Sequence, residues 1–184
     1  MSDRDERYYA AQLNMQTCSR RGLFRGLWSG VSKPVKTQAG LAAKRTVSRP
    51  PTAVDEGLLT RLCDGCGKCE EACPQRIISM IESKPTLSLD GGACTECGEC
   101  QRACPTLALA NTSPDKLPST GAIATLSGMC IRQMSAPCQS CSEACPHQAI
   151  DTVNRSIAIN IDKCSGCAQC RVACPSHAIQ ILMR

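Results

Sequence analysis

The sequence has very few aromatic side chains, and those it has are confined to one end. Phenylalanine, tyrosine and tryptophan make up 2% of the 184 residues, and all four (Tyr8, Tyr9, Phe24 and Trp28) precede residue 29. Aromatic side chains supply much of the buried area of ordinary cores. Their absence excludes an aromatic-rich core for the rest of the chain, so another kind of group must hold that part together.

The sequence also lacks long apolar runs and familiar catalytic arrays. The opening MSDRDERYYAAQ is charged, and no apolar segment of a secretory signal follows it. No stretch approaches the roughly 20 apolar residues of a membrane helix. No Ser-His-Asp array, nucleotide-binding loop or open metal position is evident. We therefore expect no membrane span, no nucleic-acid or small-molecule substrate, and no enzymatic activity.

Cysteine is what the chain has in excess. It contains 17 cysteines, a content typical of disulfide or metal-binding proteins. Three stretches, beginning at Cys63, Cys94 and Cys164, have the pattern Cys-x-x-Cys-x-x-Cys-x-x-x-Cys-Pro. Regular spacing without an export signal indicates metal binding rather than disulfides.

The spacing within each motif favours iron–sulfur clusters over zinc. Structural zinc sites combine two well-separated Cys-x-x-Cys halves, whereas here four cysteines lie close together in each motif. In two-cluster ferredoxins three cysteines of such a motif bind one cluster, and the cysteine before proline binds the other. This rule predicts three sets: Cys63, Cys66, Cys69 and Cys104; Cys94, Cys97, Cys100 and Cys73; Cys164, Cys167, Cys170 and Cys145.

The stretch CIRQMSAPCQSCSEACP, residues 130–146, departs from the pattern. Its first cysteine, Cys130, is five positions early, and Ser135 occupies the regular position. One interpretation is a degraded motif that holds a [3Fe–4S] cluster or none. The other is a working motif with a looped insertion, in which Cys130 completes a fourth set with Cys138, Cys141 and Cys174. The second is favoured because Cys130 has no other role within residues 58–184, and it predicts four [4Fe–4S] clusters.

The motifs are embedded in a repeat. Alternating apolar residues precede two of them, Leu87 and Leu89 before the second, and Ile157, Ile159 and Ile161 before the fourth, which is strand periodicity. The predicted unit is a short strand, a cysteine loop, a brief helix and another strand. The gaps between motifs group them in pairs. We predict an α+β fold with two tandem two-cluster ferredoxin-like modules, at 58–112 and 121–184.

Residues 1–57 are predicted to form a loosely structured basic arm and linker. They contain all of the net charge of +5, and the stretch SRPPTAVDEG has linker composition. Within the arm, CSRRGLFRGLW resembles a twin-arginine export signal, but lysines and a proline interrupt the apolar stretch that such a signal needs next. We favour a partner-docking segment with Arg20, Arg21, Leu23, Phe24 and Arg25 as contacts; a disordered basic tail is the alternative. Cys18 has no predicted role, and His147 and His177 are expected to be exposed.

These features together resemble the NapF family, ferredoxin-type accessory proteins of the periplasmic nitrate reductase system. The resemblance rests on the SRRGLFRG element, the four cysteine motifs and the seven-residue gap after Cys130. It implies that the gap is normal for the family and that Cys130 is a ligand. It also implies a cytoplasmic protein that helps to mature the nitrate reductase catalytic subunit, its partner, before export. The alternatives are a general electron carrier and a fixed subunit of a larger complex.

Overall fold

The computed structural model describes residues 45–110 and 117–184. Within these ranges the chain has an α+β fold of short helices and strands. Its elements are α1 (Glu56–Leu62), α2 (Lys68–Glu71), β1 (Ile78–Ile81), β2 (Lys84–Leu87), α3 (Glu99–Ala103), β3 (Ala122–Leu126), a 3₁₀ helix (Ile131–Met134), α4 (Ser140–Glu143), β4 (Ile150–Val153), β5 (Ser156–Ile159), α5 (Gln169–Val172) and β6 (Ile179–Met183). No helix in the described part is long and apolar enough to cross a bilayer.

The predicted loop–helix–strand unit is confirmed after three of the four motifs. Helices α2, α3, α4 and α5 each contain the third cysteine of a motif. Strands β1, β4 and β6 follow the first, third and fourth motifs, but residues 105–110, which follow the second, contain no strand. In all four copies the second residue after the motif proline has a left-handed backbone, with φ between 49° and 63°. That residue turns the chain away from the cysteine loop.

The strands form three two-stranded antiparallel sheets. The β1–β2 hairpin joins the first two motifs, and the β4–β5 hairpin joins the last two. Strand β3 pairs with β6, in a register that places Ala122 opposite Met183 and Leu126 opposite Ile179. The second half of the fold is therefore closed by its first and last strands, with the hairpin between them.

The first half is closed differently from the predicted repeat. A helix, α1, precedes the first motif where a strand was expected. Leu58, Leu59 and Leu62 lie on its buried face, and Leu59 is fully buried. They pack with Ala108 and Leu109, which follow the second motif. The spacing of these leucines is helical rather than alternating, which explains why a helix closes this half instead of a strand pair.

The linker interpretation is wrong for residues 45–57, because they are packed into the fold. Ala53 and Val54 are buried in the first core. The Arg49 side chain, 9% exposed, forms an ion pair with Glu56 at 2.5 Å, and its guanidinium also donates to the Pro85 carbonyl. The backbone N–H of Arg49 donates to the Thr120 carbonyl at 2.9 Å. Buried backbone and guanidinium groups need such partners, and the linker-like composition of the stretch concealed them.

Candidate metal centres

Four cavities are each lined by four cysteines drawn from two motifs. The empty space at each, including the open space at its mouth, is about 290, 370, 330 and 310 Å³ for centres 1, 2, 3 and 4. Centre 1 is lined by Cys63, Cys66, Cys69 and Cys104; centre 2 by Cys94, Cys97, Cys100 and Cys73; centre 3 by Cys130, Cys138, Cys141 and Cys174; and centre 4 by Cys164, Cys167, Cys170 and Cys145. The fold thus brings together the sets that the cross-ligation rule predicts.

The cysteine loops are shaped by residues with a left-handed backbone. In the first motif these are Gly65 and Gly67, with φ of 76° and 75°. In the fourth they are Gly166 and Ala168, with φ of 73° and 69°. Gly166 also has no room for a side chain, because a Cβ would lie 2.2 Å from the Ala122 carbonyl oxygen. This close approach brings β3 against the loop of centre 4.

The third motif builds its loop in another way. Residues 131–134 form the 3₁₀ helix, which ends at Ser135 with φ of 64°. The backbone N–H of Cys130 is bonded to the Gln133 side chain at 3.2 Å. The insertion is therefore an ordered turn, and it places Cys130, which is 8% exposed, beside the other three cysteines of centre 3. Ser135 is exposed and does not line that cavity.

Backbone N–H groups point at several sulfur atoms. Glu96 donates to Cys94 Sγ at 3.4 Å, Ala149 to Cys145 Sγ at 3.3 Å, and Ala178 to Cys174 Sγ at 3.4 Å. The last two bonds are equivalent: in the third and in the fourth motif, the cysteine before proline accepts from the backbone N–H four residues later. Such bonds stabilise a metal-bound thiolate and tune the potential of its cluster.

Burial raises the pKa of six of these thiols, which makes them reluctant to ionise without a metal. It raises the pKa of Cys69 to about 11, and those of Cys94 and Cys170 to about 12. For Cys174 burial acts in the same direction, but hydrogen bonds from Ser176 and Ala178 outweigh it and lower the pKa. Because a bound cluster requires thiolates, loading these centres must release protons.

The donor sets fit a cluster better than a single ion. None of the described cysteines forms a disulfide. Within residues 45–110 and 117–184, no three His, Cys, Asp or Glu side chains are grouped closely enough to hold one metal ion. The wall of centre 3 also contains a buried polar atom without a partner in the described structure, Arg132 Nε. Four thiols around a wider space, with donors in the wall, suit a [4Fe–4S] cube.

The loops of centres 2 and 4 are in direct contact. The Cys94 N–H donates to the Cys167 carbonyl at 2.8 Å, and Gln169 donates to the Cys94 carbonyl at 3.0 Å. Glu96 and His147 lie at the same contact, 2.9 Å apart, with side chains 16% and 18% exposed. The expectation that His147 is exposed is therefore wrong, whereas His177 is exposed. No single motif indicates this contact, since its partners are about 50 to 75 residues apart.

The predicted docking residues lie outside the described part of the chain. These are Arg20, Arg21, Leu23, Phe24 and Arg25, and Cys18 is outside it as well.

Comparison with known proteins identifies the chemistry of the cysteine-rich part. Residues 62–108 match the family of 4Fe-4S dicluster domains, and residues 157–180 match the family of 4Fe-4S binding domains. The stretch from Cys130 to Pro146 lies outside both ranges. An uncharacterized protein of Haemophilus influenzae is 37% identical over 166 residues, which cover 90% of this chain and 92% of that protein. The chain therefore belongs to the family of this Haemophilus influenzae protein and is an iron–sulfur protein with ferredoxin-type domains.

Proposed function

We propose that the protein carries electrons through four [4Fe–4S] clusters, one in each of the centres described above. The observation that carries this proposal is the set of four cavities, each lined by four cysteines in the cross-ligated grouping. When bound, such clusters supply one-electron transfer, and the protein supplies position and electrostatics. The family match at residues 62–108 supports two of the four.

The arrangement favours a linear route. Each pair of motifs exchanges a cysteine, so centres 1 and 2 are neighbours, as are centres 3 and 4. The hydrogen bond from Cys94 to Cys167 joins centre 2 to centre 4. Electrons would therefore pass in the order 1, 2, 4, 3. Cys66 at centre 1 and Cys97 at centre 2 are both exposed, which suits exchange of electrons with an external redox protein at the first half of the fold.

The iron content tests the number of clusters. Anaerobically loaded protein is expected to contain about 16 iron atoms per chain, four for each cube. Reduction should be reversible and should give the electron paramagnetic resonance (EPR) signals of [4Fe–4S] clusters. About 12 iron atoms would instead mean that one centre, with centre 3 the first to examine, is not a cluster site.

We further propose that the protein acts in the cytoplasm as a maturation factor for the precursor of the periplasmic nitrate reductase catalytic subunit. The support is the sequence resemblance to the NapF family, above all SRRGLFRG and the long third motif. In this role the clusters would supply electrons or cluster components to the reductase before its export. The basic segment around Arg20 and Arg21 would make the contact.

Affinity capture tests the partner. The protein, tagged at its C-terminus, is recovered from the cytoplasmic fraction of source cells grown anaerobically with nitrate, and the eluate is identified by mass spectrometry. We expect the nitrate reductase catalytic subunit, lost when Arg20 and Arg21 are both changed to alanine. Recovery of a general ferredoxin reductase alone would favour a free electron carrier. Fixed-ratio recovery of membrane subunits would favour a subunit of a larger complex.

A further inference from the structure

The insertion in the third motif brings a cation to the wall of centre 3. Arg132 belongs to the 3₁₀ helix of the insertion and lines the same cavity as the four cysteines. The noncysteine ionisable residues lining the other centres are Asp64 at centre 1, Glu96 at centre 2 and His147 at centre 4. Among the described residues that line the four cavities, Arg132 is therefore the only permanent cation.

The guanidinium is held in place by the backbone on either side. Arg132 Nη1 donates to the Cys138 carbonyl at 3.0 Å, and Nη2 donates to the Asn154 carbonyl at 3.0 Å. The first carbonyl belongs to a cysteine of centre 3, and the second lies at the end of strand β4. These two bonds fix the planar group between the cysteine loop and the β4–β5 hairpin.

The remaining nitrogen is a buried donor without a partner in the described structure. Arg132 Nε is buried and makes no hydrogen bond there. An unsatisfied donor on a charged group is costly, so its retention needs a reason. A cluster in the cavity provides one, because its sulfur atoms can accept the N–H. Reduction adds negative charge to the cluster, and both the hydrogen bond and the positive charge favour that reduced form.

We propose that Arg132, through its Nε–H and its positive charge, gives the cluster of centre 3 the highest reduction potential of the four. At centres 1 and 2 the cations Lys84 and Arg102 donate to the Cys63 and Cys97 carbonyls but do not line the cavities. The ionisable groups that do line those two cavities, apart from cysteines, are carboxylates, and Glu96 is paired with His147. The inference rests on the proposed function, because it requires a cluster in centre 3. It also assigns the insertion a second purpose: residues 131–134 keep a fourth cysteine in reach and supply the guanidinium.

A redox titration followed by EPR tests this on the full-length, anaerobically loaded protein. The signal of centre 3 is identified as the one missing from Cys130→Ala, and we expect it to be the first reduced in the unmodified protein. Arg132→Gln should retain the iron and lower the potential of that signal alone. The expected change is at least tenfold in the equilibrium constant, about 59 mV for one electron. Arg132→Lys keeps the positive charge but lacks the planar guanidinium. Its centre 3 potential should lie between those of the unmodified protein and Arg132→Gln.

Two further variants complete the design. Arg155→Gln removes a positive charge from an exposed residue of the same hairpin, and it should leave the potential of centre 3 unchanged. Arg132→Met is a second uncharged variant and should behave as the glutamine does. Only molecules that hold the cluster contribute to its EPR signal, so the potential of centre 3 can still be measured if a variant loses part of its iron.

The outcomes separate this inference from the proposed function. An unchanged potential in Arg132→Gln with full iron would overturn the role of Arg132 and leave the four clusters standing. Three other results would also overturn the role of Arg132 and leave the four clusters standing: a shift of all four signals together, an equal effect of Arg155→Gln, or a centre other than centre 3 reduced first. About 12 iron atoms in the unmodified protein, with no signal lost in Cys130→Ala, would overturn both.

Discussion

Single residues decide whether the irregular third motif can hold a cluster. Cys130 lines centre 3 although it is displaced along the sequence, and Ser135 does not line it although it occupies the regular position. We therefore predict that Cys130→Ala loses up to four iron atoms, because a cube needs a thiolate for each iron. Iron analysis and the EPR signal of centre 3 provide the measurement.

Ser135→Ala is the matched control for that change. It removes the side chain at the position where the regular motif has its first cysteine, and it should leave the iron content unchanged. A loss of iron in Ser135→Ala, with full iron in Cys130→Ala, would mean that the serine and not the displaced cysteine completes the site.

Gly166 tests the close contact between a cysteine loop and a strand. A Cβ there would lie 2.2 Å from the Ala122 carbonyl oxygen and 2.4 Å from Thr120 Oγ1. The residue also has a left-handed backbone, with φ of +73°. Gly166→Ala should lower the thermal midpoint of the loaded protein and reduce iron at centre 4. Strain of the left-handed backbone alone costs roughly 1–2 kcal/mol, and displacement of β3 adds to it.

Gly67→Ala separates the two contributions. Gly67 has φ of +75° but nothing within 4 Å of an added Cβ, so that variant should show the backbone strain alone. The corresponding position of the fourth motif is Ala168, which adopts φ of 69°, so alanine is tolerated there. Equal effects of the two substitutions would show that the contact with Ala122 does not matter.

At the scale of elements, the segment before the first motif behaves as part of the fold rather than as a linker. Within residues 45–57, Ala53 and Val54 are buried in the first core together with Leu59, and one large apolar side chain such as Val54 contributes about 1.5–3 kcal/mol when fully buried. A chain of residues 58–184 should therefore be less stable than one of residues 45–184, by several kcal/mol in total. Thermal unfolding of the two loaded proteins compares them.

A point substitution in α1 tests the core in which Ala53 and Val54 are buried. Leu59→Ala should destabilise the protein by about 2–5 kcal/mol, whereas Thr60→Ala, at an exposed position of the same helix, should have little effect. If the chains of residues 45–184 and 58–184 were equally stable, residues 45–57 would be a linker after all.

The elements also show which parts of the fold could be predicted. The cysteine loops, their short helices and the hairpins follow from local spacing, because motif and turn residues fix them within a few positions. The strand predicted before the fourth motif was too long, because it included Ile161. Strand β5 ends at Ile159, and Ile161 is 50% exposed. The pairing of β3 with β6 depends on residues far apart in sequence. The burial of residues 45–57 likewise depends on distant partners such as Pro85 and Thr120.

At the scale of the whole molecule, the grouping of the cysteines was predictable and the contact between the halves was not. A general rule of cross-ligation is enough to group the cysteines, and the four cavities collect the same sets. The meeting of centres 2 and 4 involves Cys94, Glu96, His147 and Gln169, whose positions depend on packing rather than on any motif. Ala168 of the fourth motif is buried in the core of the first half, so the halves share apolar packing as well as hydrogen bonds.

The apolar core of the second half is small, which makes the metal decisive for its stability. Apart from cysteines, the buried residues of the second core in the described chain are Ala124, Ile150, Ala178 and Ile179, and none of them is aromatic. Four cysteines surround each centre, and so few apolar side chains cannot replace the bonds that a cluster makes to them. Binding energy is therefore folding energy here, as in small metallodomains. We predict that the metal-free chain lacks a fixed tertiary structure.

Circular dichroism and thermal unfolding of chelator-treated, reduced protein provide the measurement. The loaded protein should unfold cooperatively, and the treated protein should show no transition; reconstitution with iron and sulfide should restore it. A cooperative transition in the metal-free chain would show that the apolar clusters suffice alone. The contacts of residues 45–57 would then be the first place to look, because Arg49 ties α1 to β2 and to Thr120 without involving a single cysteine.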